Sequence, residues 1–110
     1  MTTLNDVTWK NVNDHVAENG SISQDIVSDI EIVNGDKLST LYITTGNSNV
    51  TVTLTTSSDN RVLNIKKVDS GTGHIIFIGN IDGDTNFRIT EKNSNLTIKY
   101  DLNDSVWRIL

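Results

Sequence analysis

Few side chains of this 110-residue chain have the types and spacing that chemistry requires. His74 follows closely on Asp69 and Ser70, and together these are the residue types of a hydrolytic triad. A triad also needs a nucleophile elbow and an oxyanion hole, and three members crowded into one turn bring neither. The other histidine, His15, lies far away in sequence. His74 is therefore expected on a surface or at a sheet edge, and no catalytic residue is assigned. Asp82-Gly83-Asp84-Thr85-Asn86 opens like a calcium loop, but its sixth position is Phe87 and its twelfth is Asn93. An EF-hand needs glycine and glutamate there, so this motif fails and a polar turn is expected.

Loop aspartates are numerous enough to supply a glycosidase pair, yet nothing singles one out. Two tryptophans, two tyrosines and two phenylalanines are also few for a sugar-cleaving cleft. The sequons Asn49-Val50-Thr51 and Asn95-Leu96-Thr97 follow from a composition rich in Asn and Thr. Phosphate loops, zinc spacings and dinucleotide fingerprints are missing from the sequence. With no cysteine, disulfides and thiolate metal sites are excluded. The reading is of a non-enzymatic chain without cofactor or metal.

The elements that must position these residues read as strands. Threonine is β-branched and suits a pleated sheet, while Asn, Asp, Ser and Gly supply turns. Asn49-Val50-Thr51-Val52-Thr53-Leu54-Thr55 alternates strictly, the pattern of a half-buried strand. Further strands are expected at 41–43, 61–68 (Leu63 and Ile65 inward), 74–78, 87–90, 95–100 and 106–110, with turn signals between them. His74-Ile75-Ile76-Phe77-Ile78 is apolar on both faces, as for a central or interface strand. The fold class is all-β: a compact antiparallel sandwich or an intertwined β-prism or barrel. No repeat is strict enough to indicate a solenoid.

Residues 1–37 read differently, as an N-terminal docking arm or irregular first layer. Thr3 to Lys10 opens a short helix capped by Thr3, and Ile30 with Ile32 makes a short strand. Residues 38–110 form the β domain, which is also the oligomerisation module. At 35% hydrophobic and 5% aromatic, the chain has a thin core for its length, so apolar surface is expected to be covered by other subunits. A chain end at Leu110 inside a hydrophobic strand points the same way.

Charge sets further limits. Residues 1–60 hold two basic and eight acidic side chains, a net −6, and residues 61–110 hold seven and six, a net +1. An acidic chain without a Lys/Arg stripe is a poor partner for duplex nucleic acid. No run has the length of a membrane span, and the first residues lack the basic and apolar regions of a signal peptide. The product is expected to be soluble, without a membrane partner, and either cytoplasmic or released without classical export.

The stretch Arg61-Val62-Leu63-Asn64-Ile65-Lys66-Lys67-Val68-Asp69-Ser70 continues through Ile76 and Ile78 to Ile81-Asp82-Gly83. It closes with Leu96-Thr97-Ile98, Asp101 and Trp107-Arg108-Ile109-Leu110. Over roughly residues 49–110 this order resembles a module of tailed-bacteriophage virion proteins: tail fibres, head fibres and capsid-decorating proteins. The resemblance implies an all-β module that trimerises and serves as a structural or attachment element without catalysis. The chain stops where the module ends, with no distal domain for a receptor-binding tip, which favours a compact decoration protein over a long fibre.

The expected function is thus that of a virion structural protein. It would be a capsid decoration or head-fibre protein that binds the major capsid or another virion protein and stabilises the outer shell. The alternative is a tail-fibre or tail-tip receptor-binding module with a host surface glycan as ligand. Interface roles are expected for Trp9, Ile76, Ile78, Trp107 and Leu110, because large apolar anchors dominate interfaces. Lys66 and Lys67 fall on opposite faces of their strand, one to pair with a carboxylate such as Asp69 or Asp82 and the other to lie over an apolar edge. Gly83 is expected at positive φ in a tight turn.

Overall fold

A computed structural model describes residues 22–110. It is all-β among these residues, with nine strands: β1 (Ile22–Ile26), β2 (Ile30–Ile32), β3 (Leu38–Ile43), β4 (Val50–Leu54), β5 (Val62–Lys67), β6 (Ile75–Ile78), β7 (Arg88–Ile89), β8 (Asn95–Asp101) and β9 (Val106–Ile109). They form two mixed sheets in the orders β1-β3-β5-β8-β9 and β2-β4-β6-β7. The helix expected near Thr3 lies outside the described residues.

The first six strands alternate between the sheets, and neighbours within each sheet run parallel. The chain therefore winds as a flattened coil of three turns, each made of one strand from each sheet. The purely antiparallel arrangement expected from sequence applies only to β7, β8 and β9. The coil escaped notice because its turns are unequal. Ile26 lies opposite Ile43 and Ile43 opposite Lys67, so the second step is longer than the first. Extra residues bulge into loops while the strands keep register, and no fixed period survives in the sequence.

The alternating apolar residues become columns running across the turns. Leu41 pairs with Ile65, Ile30 with Val52 and then Phe77, and Val50 with Ile75 and then Ile89. Most of these side chains are fully buried between the sheets. Each such Ile or Leu contributes about 1.5–3 kcal/mol relative to an exposed position, and β-branched side chains stack well at strand spacing. Residues 22–37 belong to this body. They are the first turn of the coil, since β1 pairs with β3 and β2 with β4, so the boundary expected after residue 37 falls within one packed unit.

The last strands close one end. Trp107 and Tyr100 pack edge to face with centroids 5.3 Å apart, both buried, and the Trp107 indole N–H donates to the Thr55 carbonyl at 3.1 Å. That bond ties the closing hairpin of β8 and β9 to the loop that follows β4.

Candidate functional site

Three groups of residues are assembled by this fold: a polar joint at one end of the coil, a second joint beside β9, and an apolar pair on the outer face of the second sheet.

The first joint begins with Lys67. Its position continues the inward column of Ile26 and Ile43, and it is fully buried. The aliphatic stem extends the column while the ammonium leaves it at the loop end. There Nζ donates to the Asp69 carbonyl at 2.8 Å, to Asp69 Oδ1 at 3.1 Å and to the Gly71 carbonyl at 3.0 Å. All three of its donors are used, which is what makes a buried ammonium tolerable. Asp69 in turn accepts from the amides of Thr45 at 3.1 Å, Gly46 at 2.9 Å and Gly71 at 3.2 Å. Desolvation alone would raise the Asp69 pKa, but the Thr45 and Gly46 amides, the Lys67 ammonium and the Gly71 amide together outweigh it. The carboxyl is held far below the usual carboxylate range.

Asp69 turns its oxygens to Lys67 and backbone amides, and the His74 backbone amide donates to Asn49 Oδ1 at 2.9 Å. His74 is half-buried, and its Nδ1 has no hydrogen-bond partner among the described residues. Asp69 thus serves as a joint between turns of the coil.

The second joint unites the Asp-Gly turn with the last strand. Asp82 and Gly83 have φ of 52° and 87°, and Ile81 and Asp84 exchange backbone hydrogen bonds across them. This is a two-residue hairpin with both central residues left-handed, for which Asp-Gly is strongly suited. Gly83 thus adopts the positive φ expected of it. Asp82 Oδ2 accepts the Ile109 amide at 3.0 Å. The Asp82 amide donates to the Trp107 carbonyl at 2.7 Å, and the Trp107 amide donates to Asn80 at 3.1 Å. Arg108 meets Asp101, Asp104 and Asp82 at 3.3, 2.7 and 3.5 Å. One guanidinium thus gathers three aspartates beside β9. No group of three or more His, Cys, Asp or Glu suited to a metal occurs among the described residues.

The third group lies on β6. Ile75 and Phe77 enter the core, while Ile76 and Ile78 point outward, Ile76 half-buried and Ile78 54% exposed. Thr51 and Thr53 flank them on β4, at the register positions Thr51–Ile76 and Thr53–Ile78. An isoleucine pair on an outer sheet face is unusual beside the polar outward residues of the neighbouring strands. Leu110 is 69% exposed, so among the residues expected at an interface, Ile76, Ile78 and Leu110 are accessible. Trp107 is different: the residue is 3% exposed within the single chain and is anchored in its core. Trp9 and His15 lie outside the described residues. Of the two carboxylates expected to pair with a lysine, Asp69 does so with Lys67, whereas Asp82 meets Arg108; the Asp82 cap on β9, which joins residues remote in sequence, was not foreseen.

No protein-family model matches the chain, and no curated protein or solved structure matches it. Among the described residues, no helix is long and apolar enough to cross a membrane.

Proposed function

We propose that this chain is a structural protein of a tailed-bacteriophage virion, a capsid decoration or head-fibre protein acting without catalysis. Copies associate as trimers through the outer face of β4 and β6 and bind the major capsid protein or another shell component. The single observation that carries this reading is the outward pair Ile76 and Ile78 on a strand whose other face already fills the core. An apolar pair of this kind gains by being covered, and a symmetric contact covers it on every copy at once.

The resemblance adds to this. Its phrases, Lys67 with Asp69 and Ile81-Asp82-Gly83 with Trp107 to Ile109, are the residues from which the two joints are built. A module whose distinguishing residues hold its own turns together suits a load-bearing role.

Light scattering at low concentration and high salt is expected to give a trimer mass for the purified chain and a monomer mass for Ile78→Asp, with an unchanged circular-dichroism spectrum and a lower melting temperature as the trimer contact is lost. A monomeric parent chain would overturn the trimer. Location is tested with an antibody raised against the chain, on phage particles from the source that encodes it. Labelled heads support a decoration or head-fibre role. Labelled tails support the receptor-binding alternative, and unlabelled particles overturn the virion reading.

A further inference from the structure

A coil of this kind has four strand edges, and the structure treats them unequally. In the five-stranded sheet the closing edge is β9, and Asn80, Ile81 and Asp82 occupy it: the backbone of Asn80 and Asp82 bonds Trp107, and the Asp82 carboxylate takes the Ile109 amide. That edge has no room for another strand. In the four-stranded sheet the closing edge is β7, which among the described residues pairs only with β6. The Phe87 carbonyl accepts from Phe77, so strand alternation turns the amide and carbonyl of Arg88 away from β6. Beside this edge runs a groove lined by Phe87, Arg88, Glu91, Asn95 and Leu96.

At the opposite end of the same sheet stands β2, which among the described residues pairs only with β4. The two edge strands differ in charge. Arg88 is the exposed charge on β7, followed in the next turn by the oppositely charged Glu91 and Lys92, whereas Glu31 is exposed on β2 and Asp29 directly precedes that strand. Arg88 and Glu31 share the outward face of the sheet. Arg88 lies opposite Ile76, which lies opposite Thr51, and Glu31 lies opposite Thr53, which lies opposite Ile78. Asp29, level with Thr51, is committed to its amide at 2.8 Å, so Glu31, two residues along, is the carboxylate left to meet Arg88 of a neighbouring copy. Neither Arg88 nor Glu31 forms an ion pair with another described residue.

We propose that copies of this chain join head to tail, the β2 edge of one copy adding to the β7 edge of the next. Backbone pairing supplies the bond, and the Arg88 and Glu31 side chains select the orientation. Such a contact joins two different surfaces, so it leaves a free β2 and a free β7 at the ends and extends rather than closes. It uses strand edges, not the outer face carrying Ile78, and stands or falls independently of the trimer.

The test is sedimentation velocity of the full chain across a concentration series at low and high salt. Mass is expected to rise with concentration at low salt and to fall when salt screens the contact. Glu31→Arg and Arg88→Glu should each weaken association by about tenfold, and the chain carrying both should regain it, since the charges are again complementary. Circular dichroism melts check that all variants fold. A mass that does not grow with concentration overturns the proposal, whether monomer or closed trimer, and includes the case in which the chain's own N-terminal residues cover β2. Association that ignores both charge reversals also overturns it. Ile78→Asp leaves the head-to-tail contact intact, so failure of the trimer and failure of this contact read out separately.

Discussion

At one end of the coil, loops 44–49 and 68–74 lie backbone against backbone. The Gly73 amide donates to the Gly46 carbonyl at 2.9 Å, and the Val50 amide to the His74 carbonyl at 2.9 Å. At the other end, loops 33–37 and 55–61 are bridged mainly by side chains. Arg61 pairs with Asp36 and donates to the carbonyls of Leu38 at 2.7 Å and Val33 at 3.0 Å, and Asn34 Oδ1 accepts the Ser58 amide at 3.0 Å. The first end has a buried cation and glycines that admit no side chain. The second has a partly exposed pair and room around its turn glycine. The difference teaches where register is set. Close backbone contact tolerates one alignment of the turns, whereas long side chains can follow small shifts.

The sharpest break is Gly73→Ala. A Cβ at Gly73 would overlap the Ser48 carbonyl, which is backbone and cannot rotate away. The substitution is expected to cost about 2–4 kcal/mol, read from urea midpoints, whereas Gly35→Ala at the other end meets no atom and suffers only from its φ of 90°. If the two variants lose equal stability, the contrast between the ends is lost.

Acid sharpens the same contrast. The folded pKa of Asp69 is depressed below its unfolded value, so its contribution is present above the unfolded pKa and is lost as pH falls toward the folded one. Stability at this end should therefore decline from about pH 5 downward. Asp69→Asn should lower the melting temperature at neutral pH and flatten the acid limb of the profile. An unchanged acid limb would remove Asp69 from the account.

The smallest effect is expected from Arg61→Ala, about 1–2 kcal/mol, because the pair is partly solvated while two carbonyls lose a donor. Urea titration at low and high salt checks it. Only the ion-pair part should respond to salt, and a loss as large as that of Gly73→Ala would make the two ends equivalent.

Strands were the legible part of the sequence. Alternation in residues 49–55 marked Val50, Val52 and Leu54, all now buried, and the other expected strands from residue 61 onward appear within a few residues of their expected bounds. Ile30–Ile32 was anticipated, whereas β1 was not, because four of its five residues are exposed and alternation has no apolar partner to reveal it. Pairing direction was illegible for a physical reason: a strand buried on one face shows the same alternation beside a parallel or an antiparallel neighbour. Of the candidate residues, Ile76 and Ile78 were readable from a run apolar on both faces. Trp107, expected at an interface, is buried within the single chain, since size and hydrophobicity do not say which core a ring enters.

The unequal turns of the coil have a practical corollary. Because the columns keep register while loops 44–49 and 55–61 both exceed their counterparts in the preceding turn, loop length is decoupled from the packed interior, and of the two loops 55–61 is the one held mainly by side chains. A foreign peptide spliced between Ser57 and Asn60, where the residues are exposed, would be presented at the surface at a cost that grows only slowly with its length. The molecule is thereby a natural display platform, with one end fixed by glycine and aspartate and the other open to variation.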